Sequence, residues 1–307
     1  MSIISQLFNF KGSLIMKIFP VTIIILGYSL CIYSMFLTWD IFSDQNIFIR
    51  LLLVHVEATV LIYLFSVMFK NSSWYDAFWS VIPVVLAYLA WADIDASGNG
   101  LRALMMFAAL LFWAFRLTYN WLRSWDGFSH EDWRYVMMKS SAKNRFQYCA
   151  IDFGAIHLIP TLCVFMALLP MNVALSYEGN DVFWLDWVAL SIAIVAVVIQ
   201  IVSDQQMYLF RKALTKPEIM NTGLWFYSRH PNYFGELLFW FSLYIFALAA
   251  SLSFAWLLIG SLIMYALIAI GSVAMMDKRS LERRPNFQHY MDTTPAIFIN
   301  IFKRKNQ

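Results

Sequence analysis

The densest chemistry in the sequence is one polar run, Asn221-Thr222-Gly223-Leu224-Trp225-Phe226-Tyr227-Ser228-Arg229-His230-Pro231-Asn232-Tyr233-Phe234-Gly235-Glu236. Pro231 suits the first turn of a helix, where its missing N–H would have no partner in any case. The run therefore predicts a helix that begins near Asn232. A helix start turns bare N–H groups and a positive dipole end outward, which favours a phosphate or a carboxylate. Arg229 and His230 stand beside that start, with Tyr227 and Tyr233 on either side. Asn232 and Glu236 are one turn apart and share a face. An amide and a carboxyl so placed suit an uncharged hydrogen-bonding ligand, such as another amide or ribose hydroxyls. A purely structural capping role is the plainer alternative.

Other ionisable groups sit in or beside apolar stretches, where they are costly and mark sites by default. Arg116, Tyr119, Asn120 and Arg123 fall at offsets of 0, 3, 4 and 7, so one helical face carries all four. Snorkelling to headgroups accounts for Arg123, but not for a tyrosine and an amide in the same stripe. Asp204, Tyr208 and Arg211, at offsets of 0, 4 and 7, form a similar edge, read equally well as a local ion pair at a helix end. Asp76 follows Asn71-Ser72-Ser73-Trp74-Tyr75 and is either a helix N-terminal charge or a working acid. Glu57 lies mid-stretch, two residues from His55 and off its face; it is a candidate acid or a helix–helix hydrogen bond. Asp152 and His157 read as packing contacts. Cys31, Cys149 and Cys163 show neither pairing nor metal spacing, and no metal is expected.

The elements that must position these groups are membrane helices. Of 307 residues, 61% are apolar and 13% charged, whereas a soluble domain carries about 25% charged residues. A net charge of +3 gives no reason to expect nucleic acid. Stretches of about 20 apolar residues fall at 18–37, 47–69, 74–92, 101–122, 146–170, 183–203, 233–250 and 253–272. The fold class is thus all-α, a polytopic transmembrane bundle of about eight spans. The first resembles a signal peptide in having Lys11 and Lys17 ahead of it, but no small-residue cleavage site follows. Basic residues collect in 116–145 (Arg116, Arg123, Arg134, Lys139, Lys143, Arg145), in 211–229 (Arg211, Lys212, Lys216, Arg229) and in the tail (Lys278, Arg279, Arg283, Arg284, Lys303, Arg304, Lys305). The alternate loops carry Asp40, Asp44, Asp93, Asp95, Glu178, Asp181 and Asp186. Eight spans put every basic segment on one side, so both termini are expected to be cytosolic.

Several separate pieces carry a family resemblance: Asp76-x-x-Trp79; Arg116-x-x-Tyr119-Asn120-Trp121; Glu131-Asp132-Trp133-Arg134-Tyr135; Ser203-Asp204 with Arg211; and Gly223-Leu224-Trp225 through Ser228-Arg229-His230-Pro231-Asn232-Tyr233-Phe234-Gly235-Glu236. In this order, over roughly residues 70 to 300, the chain resembles the steroid 5α-reductase superfamily, and within it the DUF1295 branch. The resemblance implies a membrane reductase that uses NADPH to saturate a carbon–carbon double bond conjugated to a carbonyl. It assigns Asn232 and Glu236 to the nicotinamide side of the cofactor, and Asp204 and Arg211 to further cofactor contacts. It makes Asp76, ahead of Pro83, the substrate-facing acid. The steroid enzymes pair that acid with a tyrosine where this chain has Phe112, so the pair is expected to be absent or rebuilt. Arg279, Arg283 and Tyr290 are the candidates for the positions of the family's His and Arg near the chain end. Residues 1–45 form an extra spanning helix, ahead of a reductase-like membrane domain over 46–307.

The expected function is an NADPH-dependent oxidoreductase acting on a hydrophobic carbonyl substrate: a steroid, sterol, polyprenol, fatty acyl or quinone-like lipid. Asp76, Glu57 and Tyr119 are the candidate catalytic groups. Arg116, Asn120, Arg123, Arg134, Asp204, Arg211, Tyr227, Arg229, His230, Tyr233, Arg283 and Tyr290 join Asn232 and Glu236 as cofactor candidates. Asp76 would donate a hydrogen bond as charge builds on the carbonyl oxygen. The rival is an integral-membrane methyltransferase of the isoprenylcysteine carboxyl type, which would use S-adenosylmethionine. It would read Arg229 through Gly235 and Asp277 through Tyr290 as its motifs. Those enzymes usually show Gly-Pro-Tyr and a double Glu where this chain has Gly223-Leu224-Trp225 and Met276-Asp277. A third reading is a non-catalytic lipid-binding membrane protein. The expected location is a bacterial inner membrane, with the endoplasmic reticulum as the alternative.

Overall fold

The computed structural model describes residues 3–93, 100–177 and 182–302. Asp95, Glu178, Asp181, Lys303, Arg304 and Lys305, which the orientation argument used, lie outside the described residues, as do the side chains of Lys11 and Lys17. The described residues contain helices and no strand. Eight helical stretches are long and apolar enough to cross a membrane: Phe19–Ile41, Ile47–Phe69, Ser72–Ala92, Gly100–Ser124, Arg145–Leu175, Trp184–Lys212, Pro231–Ala250 and Leu252–Arg283. The chain is an integral, multi-pass membrane protein. The sixth and eighth stretches run past the apolar limits read from sequence, because polar groups at their ends find partners within the protein and the helix need not stop where hydropathy does.

In chain order the helices are α1 (Ile3–Ile41), α2 (Ile47–Phe69), α3 (Tyr75–Ala92), α4 (Gly100–Ser124), α5 (Trp133–Ser140), α6 (Arg145–Cys149), α7 (Ile159–Ser176), α8 (Trp184–Lys212), α9 (Leu224–Tyr227), α10 (Pro231–Ala250), α11 (Leu258–Ile268), α12 (Ala274–Arg283) and α13 (Phe287–Thr293). A π-helical stretch, Ala150–Leu158, joins α6 to α7. The chain divides into two compact units, one of residues 1–89 and 117–162, the other of residues 90–116 and 163–307.

In the first unit an aromatic cluster holds the helices together. The Trp74 ring stacks on Phe65 at 4.9 Å and on Phe128 at 5.4 Å, and such pairs contribute about 0.5–1.5 kcal/mol each beyond area burial. Tyr28 on α1 donates its hydroxyl to the Trp74 carbonyl at 2.6 Å. Gly27 makes that approach of α1 feasible, since a Cβ there would lie 2.6 Å from the Trp74 ring. Lipid offers no hydrophobic force between helices, so this packing and these hydrogen bonds must do the work.

In the second unit the closest pair is α8 with α10. Ala189, Ala193, Ala196, Gln200 and Ser203 form a buried stripe of small and polar residues along α8. Gly235 lies against it: a Cβ there would sit 2.7 Å from the Ala196 carbonyl oxygen. Small residues let backbones approach in this way. Near the start of α8, Arg102 grips Asp186 in a two-point ion pair of 2.8 and 3.1 Å, both side chains essentially buried. Asp186 also accepts the Phe183 N–H at 2.9 Å and so closes the helix start. The acid counted from sequence as part of an outer loop is thus an internal fastener.

Candidate functional site

Asp76 stands at the start of α3, and its partner comes from α5: the Tyr135 hydroxyl donates to Asp76 Oδ1 at 2.8 Å. Asp76 thus has a tyrosine partner, carried on a different element from the helix that holds Phe112. Burial, and then the neighbouring Asp76 charge, raise the Tyr135 hydroxyl well above the usual tyrosine range, so it stays a donor. Asp76 itself is only half-buried.

The motif Glu131-Asp132-Trp133-Arg134-Tyr135 is folded onto the segment Asn71–Asp76. Asn71 donates its amide to the Phe128 and His130 carbonyls at 2.9 and 3.1 Å. Glu131 accepts the Ser72 N–H at 2.6 Å, and Ser73 Oγ accepts the Asp132 N–H at 2.9 Å. Asp132 caps α5 and holds Arg134 at 2.9 and 2.8 Å. Burial pushes the Asp132 carboxyl up, but the hydrogen bonds and charge of Arg134 outweigh it and hold the group below its ordinary value. Lys139 donates to Glu131 at 2.5 Å and to Ser72 Oγ at 2.9 Å. Burial pulls that ammonium down, while Glu131 and then Asp152 more than offset it and raise it. Ser72 also donates to Asp152 at 2.7 Å, and His157 lies between the Asp152 carbonyl at 2.7 Å and Ser66 at 3.0 Å. Asp152 and His157 are packing contacts, as expected. They hold the scaffold under Asp76.

Glu57 accepts a hydrogen bond from Ser34, and its other oxygen is buried with no partner. Tyr119 is 54% exposed, with the Arg123 guanidinium 5.8 Å from its ring centre. Arg123 donates to Asn120 at 3.1 Å.

The second unit centres on Glu236. Its Oε1 accepts the indole N–H groups of Trp113 at 3.0 Å and Trp240 at 2.9 Å. Its Oε2 accepts the Gln200 amide at 3.1 Å and lies 3.7 Å from Arg116. Arg116 is shared with Asp204, to which it donates. A carboxylate has about four lone-pair sites, and three are filled here by hydrogen bonds. One turn earlier, Asn232 Oδ1 is buried and unpartnered, as are Gln200 Oε1 and Arg116 Nε. Buried polar atoms left open are costly, and an amide ligand, which both donates and accepts, fits such a set. Arg211 and Arg283 are exposed. Tyr233 reaches Met276 Sδ at 3.6 Å.

Arg229 and His230 are engaged elsewhere, in a clasp on the chain end. Arg229 donates to Asp277 at 2.7 Å and to the carbonyls of Met291 and Thr294 at 3.0 and 2.5 Å. His230 Nε2 meets the other Asp277 oxygen at 2.9 Å. Tyr290 donates to the Trp225 carbonyl, Ser228 donates to Ile297 O at 2.8 Å, and the Tyr227 carbonyl accepts Asn300 N–H at 3.0 Å. Burial raises the Tyr290 hydroxyl. Of the residues expected at the helix start, Asn232 alone keeps a side-chain oxygen buried and open; Arg229 and Tyr290 hold the tail.

Sequence reading gave no individual role to Tyr135 or Asp277, which it quoted only inside motifs, and did not single out Gln200, Trp113 or Trp240. Asp277 carried a signal, an acid between the apolar end of the last span and a basic tail. Trp240, four residues after Glu236, carried the helical spacing of a same-face partner, whereas Trp113 and Gln200 carried no signal, since partners 123 and 36 residues away leave no periodic trace.

Residues 62–294 match the family described as "Protein of unknown function (DUF1295)". An uncharacterized protein of Schizosaccharomyces pombe is 27% identical over 290 aligned residues, covering 84% of this chain and 81% of its own length. No solved structure matches the chain. With most of its length matched by the family, the chain belongs to DUF1295.

Proposed function

We propose that this DUF1295 protein is a membrane reductase that takes NADPH as cofactor and saturates a carbon–carbon double bond conjugated to the carbonyl of a hydrophobic substrate. The observation that carries the reading is Asn232 Oδ1, buried and unpartnered one turn ahead of Glu236. It suits the N–H₂ group of a nicotinamide carboxamide, and the fourth lone pair of Glu236 offers a second acceptor. Arg116, held by Asp204 and Glu236, fixes the carboxylate that does so. When bound, the cofactor supplies a hydride. Asp76 and Tyr135 form the hydrogen-bonding pair for a carbonyl oxygen, stabilising the negative charge that builds there. The distribution of Lys and Arg supports a cytosolic cofactor face. The membrane itself, bacterial inner or endoplasmic reticulum, is part of the proposal.

A second reading is favoured by one observation. Arg229 and His230 converge on Asp277, joining the Arg-His-Pro run to the acidic segment, as a methyltransferase using S-adenosylmethionine would require. A ligand that binds only the folded protein raises its melting temperature. Thermal shift in detergent with NADPH and S-adenosylmethionine side by side separates the two. A shift with NADPH alone supports the reductase, and a shift with S-adenosylmethionine alone overturns it.

A further inference from the structure

Beside the turn between α5 and α6 lies an open surface hollow of about 350 Å³, lined by Ala142, Lys143, Asn144, Arg145 and Tyr148. Neither the Lys143 nor the Arg145 side chain has an ion pair or hydrogen bond among the described residues. The cations next to them in sequence are committed, Lys139 to Glu131 at 2.5 Å and Arg134 to Asp132 at 2.8 Å. No carboxylate lines the cavity. Its wall is set by two hydrogen bonds: Asn144 Oδ1 accepts the Gln147 N–H at 2.9 Å, and the Lys143 N–H donates to Gln147 Oε1 at 2.8 Å. Asn144 keeps its amide N–H₂ as a donor. Two unpaired cations and an amide donor in one hollow form a receptor for a phosphate group.

The surroundings decide what carries that phosphate. Arg145 opens the 31-residue span Arg145–Leu175. Phe146, 82% exposed, follows at once, residues 147–150 are exposed around the same turn, and further along Ile159 and Leu162, three residues apart, expose one apolar side of the span. On a membrane helix such a side meets acyl chains. We propose that the cavity binds the phosphate headgroup of an anionic membrane phospholipid, whose acyl chains lie along this side of the fifth span. A soluble phosphate would satisfy the cations and leave the apolar side uncovered. Basic hollows beside spanning helices bind anionic headgroups on the same physical ground. The proposal stands apart from the reductase reading and survives its failure.

The test is native mass spectrometry of the full chain in neutral detergent, offered phosphatidylglycerol and phosphatidylcholine with identical acyl chains. Phosphatidylglycerol should be retained in preference. The double variant Lys143→Ala, Arg145→Ala should weaken its retention roughly 25-fold, at about fivefold per cation. Arg145→Lys, which keeps the charge, should retain most of it, and millimolar inorganic phosphate should leave wild-type retention unchanged. Equal retention of the two lipids, or undiminished phosphatidylglycerol in the double variant, would overturn the site. Displacement of the lipid by inorganic phosphate or by NADPH would hand the cavity to a soluble phosphate and overturn the lipid assignment.

Discussion

Asp76 and Glu236 are carboxyl groups near the starts of spanning helices, and their surroundings treat them in opposite ways. Glu236 is buried and receives two indole N–H groups, an amide and the edge of a guanidinium. Asp76 is half-buried and receives the hydroxyl of Tyr135, itself carried on an element pinned by Asp132 and Lys139. A carboxylate whose lone pairs are mostly spent on protein donors fixes other groups and has little freedom to move. One held only by two hydroxyls, those of Tyr135 and Ser73, can exchange a partner for a ligand more readily. On the proposed reading the two acids divide the labour, Glu236 as a fixed group at the cofactor amide and Asp76 as the group that meets the substrate.

The largest expected effect follows from Glu236. Glu236→Ala strands Trp113, Trp240 and Gln200 and weakens the hold on Arg116, and removal of one partner of a buried charged cluster costs about 3–5 kcal/mol. Thermal unfolding in detergent should show it as a marked loss of melting temperature, with Glu236→Gln milder. A stable, well-folded Glu236→Ala protein would break the comparison.

Next come Asp76→Asn and Tyr135→Phe. Each should lower turnover of a conjugated carbonyl lipid on the order of 100-fold, the scale of losing one donor to a developing oxyanion. Stability should change by about 1.5 kcal/mol or less, the net worth of one hydrogen bond. NADPH consumption and unfolding measured on the same preparations separate these effects. Turnover unchanged in both variants would remove Asp76 from the chemistry.

Gly235→Ala probes how Glu236 gets its amide partner. The added methyl would meet the Ala196 carbonyl and the Gln200 side chain, and overpacking of this kind costs about 1–3 kcal/mol. The variant should lose stability and loosen Gln200, with the Asp76–Tyr135 hydrogen bond intact. A neutral melting temperature would mean that α8 and α10 do not need so close an approach.

The smallest effect belongs to Arg134. Asp132 is held below its ordinary value in the folded protein, so the pair stabilises above the unfolded carboxyl value of about 3.9. That contribution is lost as pH falls through the folded value. Both side chains are partly exposed, at 25% and 21%, so Arg134→Ala should cost under about 1 kcal/mol near neutrality. Unfolding at neutral and at acid pH should show the difference between variant and wild type shrinking toward acid, and a growing difference would reverse the assignment.

Hydropathy and the placement of Lys and Arg made the eight spans legible, because membrane helices must satisfy their backbones internally and announce themselves by length. The polar run ending at Glu236 was legible for the same reason, as polarity where lipid is due. Partnership was not. Tyr135 reaches Asp76 across 59 residues and Asp277 reaches His230 across 47, distances at which a helical period carries no information. Arg229 shows the converse limit: residue type suggested anion binding, and the fold spends it on carbonyls of the chain's own tail, while Tyr290, from that tail, reaches back to the Trp225 carbonyl. Sequence marks what is chemically able; the fold decides what is left free.

The central claim is that the helix start at Asn232 receives a nicotinamide. An equilibrium NADPH titration of the purified protein, followed by cofactor fluorescence, tests it most directly. Wild type should bind saturably, and Asn232→Ala, with an unchanged melting temperature, should bind about tenfold more weakly, the loss expected for one well-made hydrogen bond. Equal affinity in the two proteins, or no saturable binding by wild type, would contradict the account.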